Sequence, residues 1–378
     1  MEILGLANIA LGTTAVSAAA SVLIVLSQRW HGKHTLDHDL DGVQKFHTVA
    51  VPRIGGVAIV VAILAALLWT NAFGKFPNGY LQIAALLVVA GLPVIVAGTV
   101  EDVTKRVSVR MRLAASILSA LAASWLLGAT VNELDIWGVD ALLTWAPFAL
   151  IVTAIVVAGG INAINIIDGF NGLAASVVVV MLLALGAVAW NAGDMLVAEL
   201  AALGVGAALG FLLVNYPTGR LFLGDGGAYF LGFWVAETAV LLLVRNESVN
   251  AWQVLGICAY PVIEVLYSMY RRRIVRKASP GAPDGLHLHT LVYRRVVSRL
   301  VAPNAAQPWR RNAAVMCVTT PCIALAVMLA VTQGGTIAGG ALVVFGQVFA
   351  YLAVYARLVR GKWGFRARWV EEQPIKAS

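Results

Sequence analysis

The 378-residue chain is 60% hydrophobic and only 12% charged, with a formal net charge of +8 at pH 7. This composition excludes a water-soluble protein, because long apolar runs recur throughout and no polar stretch is long enough to fold by itself. We therefore predict one polytopic membrane domain over residues 1–378. The positive charges lie beside apolar runs, where anionic membrane lipids attract them, so they do not indicate a nucleic-acid partner.

Eleven apolar runs of about 17 to 24 residues predict eleven membrane-spanning helices. A helix of about 20 residues crosses the ~30 Å hydrocarbon layer, and continuous runs favour helices over the alternating pattern of a membrane β-strand. The predicted fold class is an all-α integral membrane bundle. The runs are 5–28, 54–72, 80–100, 112–128, 141–160, 172–190, 196–215, 226–244, 251–270, 313–331 and 336–356.

Lysine and arginine are concentrated in alternate connections between these runs. Of the 27 basic residues, all but Lys75 and Arg245 lie after odd-numbered runs or in the C-terminal tail. Because basic residues are retained on the cytoplasmic side, we expect an external N-terminus and a cytoplasmic C-terminus. The predicted cytoplasmic segments are loops near 29–53, 101–112, 161–171, 216–227 and 271–312, followed by a basic tail over 357–378.

The first candidate site segment precedes the second predicted span. It contains Lys45, His47 and Arg53, and Arg53 is followed by Ile54 and the pair Gly55-Gly56. Glycines at a helix start let backbone amides approach an anion, and the basic side chains add positive charge, so we predict substrate binding here. The alternative is that these basic side chains only reach for lipid headgroups.

Two further segments place carboxylates at the ends of apolar runs. Glu101 and Asp102 are adjacent at the end of the third run, where they are costly unless a cation joins them, which makes them candidate catalytic groups. A solvated loop of mixed charge is the alternative. Asp225 lies among glycines at the start of the eighth run, which suits a hard metal cation, and it also fits the N-cap of the following helix.

A fourth segment inserts polar residues into the end of the fifth run. Asn162, Asn165 and Asp168 are each three residues apart, so a helix would place them on one face towards a common polar site. We predict that the two asparagines bind substrate and that Asp168 is catalytic. A hydrogen-bonded network without a substrate is the alternative.

The fifth segment is a histidine loop. His287 and His289 form a His-x-His pair, and Arg294 follows. Two histidines without cysteine are weak evidence for a transition metal, whereas neighbouring arginines favour phosphate. We therefore expect this loop to bind phosphate, with Arg294 as a substrate-binding residue.

In this order and spacing, the five segments resemble the polyprenyl-phosphate N-acetylhexosamine-1-phosphate transferases over about residues 45–295. These membrane enzymes include undecaprenyl-phosphate GlcNAc-1-phosphate transferase and phospho-N-acetylmuramoyl-pentapeptide transferase. The resemblance implies transfer of GlcNAc-1-phosphate from a UDP-N-acetylhexosamine to undecaprenyl phosphate with release of UMP. This reaction would initiate a cell-surface glycan at the cytoplasmic face of a bacterial inner membrane, and a homodimer is compatible with it.

The resemblance also implies roles for individual residues. Asp225 matches a Mg²⁺ ligand, with Mn²⁺ as a substitute metal, and Glu101 and Asp102 match the family's acidic pair. Asn165 and Asp168 match the region near the nucleotide, and His287 and His289 match the essential histidine loop. Thr290 stands where a third histidine is frequent, which argues against the muramoyl-pentapeptide branch.

Three questions remain open at the level of sequence. We expect direct displacement, with Asp102 orienting or deprotonating the lipid phosphate, and the rival mechanism passes through a covalent intermediate on a carboxylate. A transporter of an anionic solute is a different class of function, but transporters place their sites near the membrane midplane and usually contain internal repeats. A lipid-binding scaffold without activity is the third reading.

Overall fold

The computed structural model describes residues 2–37, 50–73, 79–275, 277 and 284–361. Lys45 and His47, both predicted to bind substrate, lie outside these residues. The helices of the described chain are α1 (Glu2–Thr35), α2 (Gly55–Phe73), α3 (Tyr80–Ala90), α4 (Leu92–Thr104), α5 (Val109–Leu127), α6 (Val139–Leu143), α7 (Ala146–Ile167), α8 (Leu173–Asn191), α9 (Met195–Asn215), α10 (Gly224–Arg245), α11 (Ala251–Ile257), α12 (Ala259–Tyr270), α13 (Leu288–Val292), α14 (Ser298–Leu300), α15 (Trp309–Gln333) and α16 (Ile337–Val359).

Within these residues, nine helices are long and apolar enough to cross a membrane, and two bent helix pairs bring the number to eleven if each pair is one span. The predicted all-α polytopic membrane fold is confirmed. The helices α3 and α4 meet at 46°, and α11 meets α12 and its π-helical extension (Arg271–Val275) at 81°. Pro93 and Pro261 lie in the first turns after these two breaks. Proline lacks an N–H and clashes with the preceding turn, which explains why each break occurs there.

The helix α10 is the central helix of the bundle. Its side chains Phe230, Phe233 and Trp234 are fully buried, and it packs against α2, α4, α7, α8 and α9. Glycines allow α2 and α4 to approach its first turn closely: a Cβ on Gly56 would lie 2.5 Å from Gly227 Cα, and one on Gly98 would lie 2.5 Å from Gly226 Cα. Three helix backbones therefore meet at the start of α10.

Backbone hydrogen bonds join the start of α2 to the same point. Two-residue strands β1 (Leu36–Asp37) and β2 (Val51–Pro52) pair antiparallel just before α2. The amides of Gly55 and Gly56 donate to the carbonyls of Phe222 and Leu223, at 2.9 and 3.0 Å. The prediction that this glycine pair binds an anion through its amides is therefore wrong, because both amides are used within the fold.

A seam of small residues attaches α1 to α9. A Cβ on Gly206 would lie 2.8 Å from Thr13 Cβ, and one on Gly210 would lie 2.5 Å from Ser17 Cβ. The hydroxyl of Ser17 also donates to the carbonyl of Ala207 at 2.7 Å. Small residues spaced four apart let membrane helices pack closely, so this seam holds the first helix in the bundle.

The variant Gly210→Leu should lower the melting temperature of the detergent-solubilised protein by about 5 °C or more, because a leucine cannot fit against Ser17 without separating the helices. Thermal unfolding monitored by size exclusion measures this effect. The control is Gly346→Leu in α16, where a Cβ would meet no atom of the described residues within 4 Å. Equal melting temperatures for the two variants would contradict the importance of the seam.

Candidate active site

Asp102 attaches the last turn of α4 to the first turn of α10. It is 2% exposed, and its two carboxylate oxygens accept hydrogen bonds from the amides of Asp225 and Gly226 at 2.7 and 2.9 Å. A carboxylate beside free N–H groups at a helix start is favourable both as a cap and through the helix dipole. Asp102 thus caps α10 from another helix. Asp225 lies inside the helix rather than at its N-cap, so the N-cap interpretation of Asp225 is wrong.

Asp225 lies at the centre of a cluster of polar side chains from four helices and from Arg53, two residues before α2. Its Oδ2 accepts a hydrogen bond from Arg112 Nη1 at 3.0 Å, and its Oδ1 accepts one from Asn165 Nδ2 at 3.2 Å. Arg53 Nη2 lies 3.8 Å from Asp225 Oδ1 and 3.6 Å from Asp102 Oδ1. The Asp225 side chain is 14% exposed, so it is the more accessible of the two carboxylates.

Asp168 caps the C-terminus of α7 and faces the same cluster. Burial raises its pKa to about 7, the negative charge of Asp225 adds to this rise, and the positive charge of Arg53 opposes it. Asp168 can therefore gain or lose a proton near neutral pH. We name Arg53, Asp102, Arg112, Asn165, Asp168 and Asp225 the aspartate cluster.

Two of the predicted residues make contacts elsewhere. Glu101 accepts a hydrogen bond from the amide of Val107 at 2.7 Å and so stabilises the turn between α4 and α5. The side-chain amide of Asn162 donates to the carbonyl of Ala158 in its own helix at 2.7 Å. The side chains of Glu101 and Asn162 therefore bind local backbone groups. Asn165 and Asp168, in contrast, belong to the aspartate cluster.

The histidine loop is held by buried acidic residues. His287 Nδ1 donates to Glu264 Oε1 at 2.9 Å, and its Nε2 lies 4.0 Å from Asp284 Oδ2. Burial alone would raise the pKa of Asp284, but Arg271, His287 and Arg272 outweigh it and hold that pKa below its usual range. His287 thus lies between two carboxylates.

His289 has different surroundings. Its ring stacks on that of His287, with centroids 5.3 Å apart, and its Nδ1 lies 3.4 Å from the hydroxyl of Tyr260. Burial lowers its pKa to about 4, which the negative charge of Glu264 opposes, so His289 is neutral at pH 7. A Cβ on Gly169 would lie 3.4 Å from its Nε2.

The loop after α7 therefore lies between the aspartate cluster and the histidine loop. The Phe170 ring makes a T-shaped contact with the His289 ring, with centroids 5.8 Å apart, and its centroid lies 5.3 Å from that of Tyr293. Arg294 is exposed in the π-helical segment Tyr293–Val297. The aspartate cluster thus contains residues from four of the five sequence segments, and the loop after α7 joins it to the fifth, the histidine loop.

Sequence analysis missed three residues of this region. Arg112 was counted only as a charge for orientation, and nothing local relates it to Asp225. Glu264 is an ionisable residue inside an apolar run, and the cost of such a residue in hydrocarbon was a usable signal. Tyr351, whose hydroxyl donates to Glu264 Oε2 at 3.0 Å, carries no sequence signal because tyrosine is common in membrane helices.

The described residues contain no group of three or more histidine, cysteine or acidic side chains placed to hold a metal ion. Magnesium, however, usually keeps several waters and binds one or two carboxylates together with substrate phosphates. The accessible carboxylate of Asp225, with Asp168 nearby, fits this type of site.

The polytopic bundle of long apolar helices is that of an integral membrane protein, and it carries a cluster of acidic and basic side chains at its helix ends. Residues 84–243 match the sequence profile of glycosyl transferase family 4. The undecaprenyl-phosphate alpha-N-acetylglucosaminyl 1-phosphate transferase of Yersinia pestis is 30% identical over 270 residues, which cover 68% of this chain and 69% of that protein. The chain belongs to glycosyl transferase family 4.

Other relatives agree with this assignment. A probable undecaprenyl-phosphate N-acetylglucosaminyl 1-phosphate transferase of Bacillus subtilis is 28% identical over 254 residues, covering 65% of this chain and 66% of its own. A decaprenyl-phosphate N-acetylglucosaminephosphotransferase of Mycolicibacterium smegmatis is 27% identical over 271 residues, covering 64% and 65%. The similarity therefore extends over about two thirds of each relative.

Proposed function

We propose that the chain transfers N-acetylglucosamine 1-phosphate from UDP-GlcNAc to undecaprenyl phosphate. An oxygen of the lipid phosphate attacks the sugar-bearing phosphorus, the bond from that phosphorus to the bridging oxygen breaks, and UMP leaves. The observation that carries this proposal is the aspartate cluster, in which an accessible carboxylate lies between two arginines at a helix start. The bacterial relatives described above are named as polyprenyl-phosphate N-acetylglucosaminyl 1-phosphate transferases, which supports the acceptor and the transferred group.

The chemistry requires negatively charged phosphates to meet, so positioning and charge neutralisation are the main tasks. Asp225, with Asp168 nearby, would hold Mg²⁺, which neutralises diphosphate charge when bound. Arg53 and Arg112 supply further positive charge within 4 Å of Asp225. Both oxygens of Asp102 are used by α10, which favours Asp168 over Asp102 as the group that accepts a proton from the lipid phosphate.

An apolar cavity of about 280 Å³ offers a place for the polyprenyl chain. It lies between α7, α10 and the broken pair α11–α12, and it is lined by residues that include Ile164, Gly232, Cys258 and Val262. Ile164 immediately precedes Asn165 of the aspartate cluster. The cavity also reaches Leu243 near the other end of α10, so a lipid tail in it would extend from the level of the aspartate cluster towards the opposite side of the membrane.

We place the protein in the inner membrane of a bacterium, with the site facing the cytoplasm. The distribution of lysine and arginine supports this orientation, because Arg53 and Arg112 lie in segments on the predicted side of the membrane that holds all of the 27 basic residues except Lys75 and Arg245. UDP-sugars are made in the cytoplasm, so this side gives the site access to its donor.

Purified protein should release UMP from UDP-GlcNAc only when undecaprenyl phosphate and Mg²⁺ or Mn²⁺ are both present, and it should form a lipid-linked sugar in equal amount. UDP-GalNAc and UDP-MurNAc-pentapeptide test the donor in parallel, and EDTA tests the metal. UMP release without a lipid product, or no release from any donor by folded protein, would contradict the proposal. Labelled sugar phosphate trapped on the protein without lipid would instead support the covalent mechanism.

A further inference from the structure

Glu264 is a buried carboxylate that belongs to none of the sequence segments discussed above. It lies in α12 and is 0% exposed, and each of its oxygens is used. Oε1 accepts from His287 Nδ1 at 2.9 Å, and Oε2 accepts from the amide of Leu288 at 3.1 Å and from the hydroxyl of Tyr351 at 3.0 Å. Three donors from two other parts of the chain therefore converge on one carboxylate.

These contacts give the two histidines different tasks. Both ring nitrogens of His287 face carboxylates, at 2.9 Å for Glu264 and 4.0 Å for Asp284, so its ring is committed to holding the loop. His289 stacks on that ring, and its Nε2 points to the loop of Asp168, Gly169 and Phe170. Any rotation of His287 would move His289 relative to this loop.

The last membrane helix completes the arrangement. In α16, the hydroxyl of Tyr351 donates a hydrogen bond to Glu264, and the hydroxyl of Tyr355 accepts one from Arg271. Arg271 also forms an ion pair with Asp284. The family profile ends at residue 243, so none of these groups lies within the matched region. A charged carboxylate buried without partners would be strongly unfavourable, which means that Tyr351 and His287 stabilise Glu264 and that Arg271 stabilises Asp284.

We propose that Glu264, with Tyr351, is a positioning residue that fixes His287 and thereby sets His289 against the loop of Asp168. This inference rests on the proposed transferase activity, since its effect is expressed through the reaction. His289 then supplies the imidazole that is available for the reaction, whereas His287 keeps the loop in position. The contact of Tyr351 also gives α16 a part in the active site.

The first test compares Glu264→Gln with Glu237→Gln in the transfer assay. Glutamine keeps the size of the side chain but removes the charge that holds His287, so Glu264→Gln should lower kcat by about 30-fold with a smaller change in KM. Glu237 is a matched control because it is also buried in a membrane helix, and its oxygens have no hydrogen-bond partner among the described residues. Its variant should stay within about twofold of wild type.

A double-mutant cycle separates positioning from general destabilisation. If Glu264 acts through the histidine loop, Glu264→Gln should cause no further loss in a His289→Gln background. Additive losses, or a Glu264→Gln variant within twofold of wild type, would overturn the inference. An inactive wild-type protein would instead overturn the proposed function.

The variant Tyr351→Phe covers the case in which Glu264→Gln does not fold. It removes one hydroxyl and keeps the ring, and it should lower kcat about threefold to fivefold in wild type but not in His289→Gln. Melting temperatures in the same detergent check the fold of each variant. Equal losses in both backgrounds would overturn the inference independently of Glu264.

Discussion

Replacing Asp225 with asparagine should lower the rate of GlcNAc-1-phosphate transfer by about 10²–10³-fold and leave the melting temperature nearly unchanged. The asparagine removes the accessible negative charge to which we assign Mg²⁺. It also removes the repulsion between this carboxylate and Asp102, which offsets the loss of the ion pair with Arg112. UMP release measures the rate, and Mn²⁺ binding followed by electron paramagnetic resonance measures the metal site directly.

Glu133→Gln provides the control for neutralising one acidic residue. Glu133 is exposed in the connection between α5 and α6, far along the chain from the cluster, so its variant should keep full activity. An Asp225→Asn protein with normal Mn²⁺ binding and near-normal transfer would show that the metal is held elsewhere. Loss of activity together with a large drop in melting temperature would indicate a structural role for Asp225.

Replacing Asp102 with asparagine should lower both activity and stability. An amide nitrogen cannot accept a hydrogen bond, so either the Asp225 or the Gly226 amide would lose its acceptor at a buried site. The expected loss of stability is about 2–4 kcal/mol, because the lost bond is charge-assisted and its donor is left buried. Activity should fall because the first turn of α10 carries Asp225.

The melting temperature decides between two roles for Asp102. A drop of several degrees alongside lost activity fits the capping role that the geometry indicates. Lost activity with an unchanged melting temperature would support the sequence-based hypothesis that Asp102 acts on the lipid phosphate itself. Comparison with Asp225→Asn therefore distinguishes a residue that stabilises the structure of the site from one that takes part in the reaction.

The membrane fold could be predicted well because its signal is local. Each apolar run is long enough to cross the bilayer, and the eleven predicted runs correspond to nine single helices and two bent pairs in the described chain. The prolines at 93 and 261 are visible in the sequence, but the bend angles depend on how neighbouring helices pack. The short strands before α2 were missed because two-residue pairing depends on the contact with Phe222 rather than on local preference.

Local sequence features were sufficient to predict the membrane class and to identify most of the polar residues that meet at the site. This was possible because a carboxylate or amide in hydrocarbon is costly whatever its partners are, so Asp102, Asn165, Asp168 and Asp225 stood out. Their roles depend on contacts between distant parts of the chain, which the sequence does not reveal. A hydrogen-bonding group used by a distant partner is no longer available to a substrate, and Asp102 is joined to α10 across 123 residues of chain. The roles of His287 and His289 differ for the same reason, since Glu264, the carboxylate that binds His287, lies on another helix.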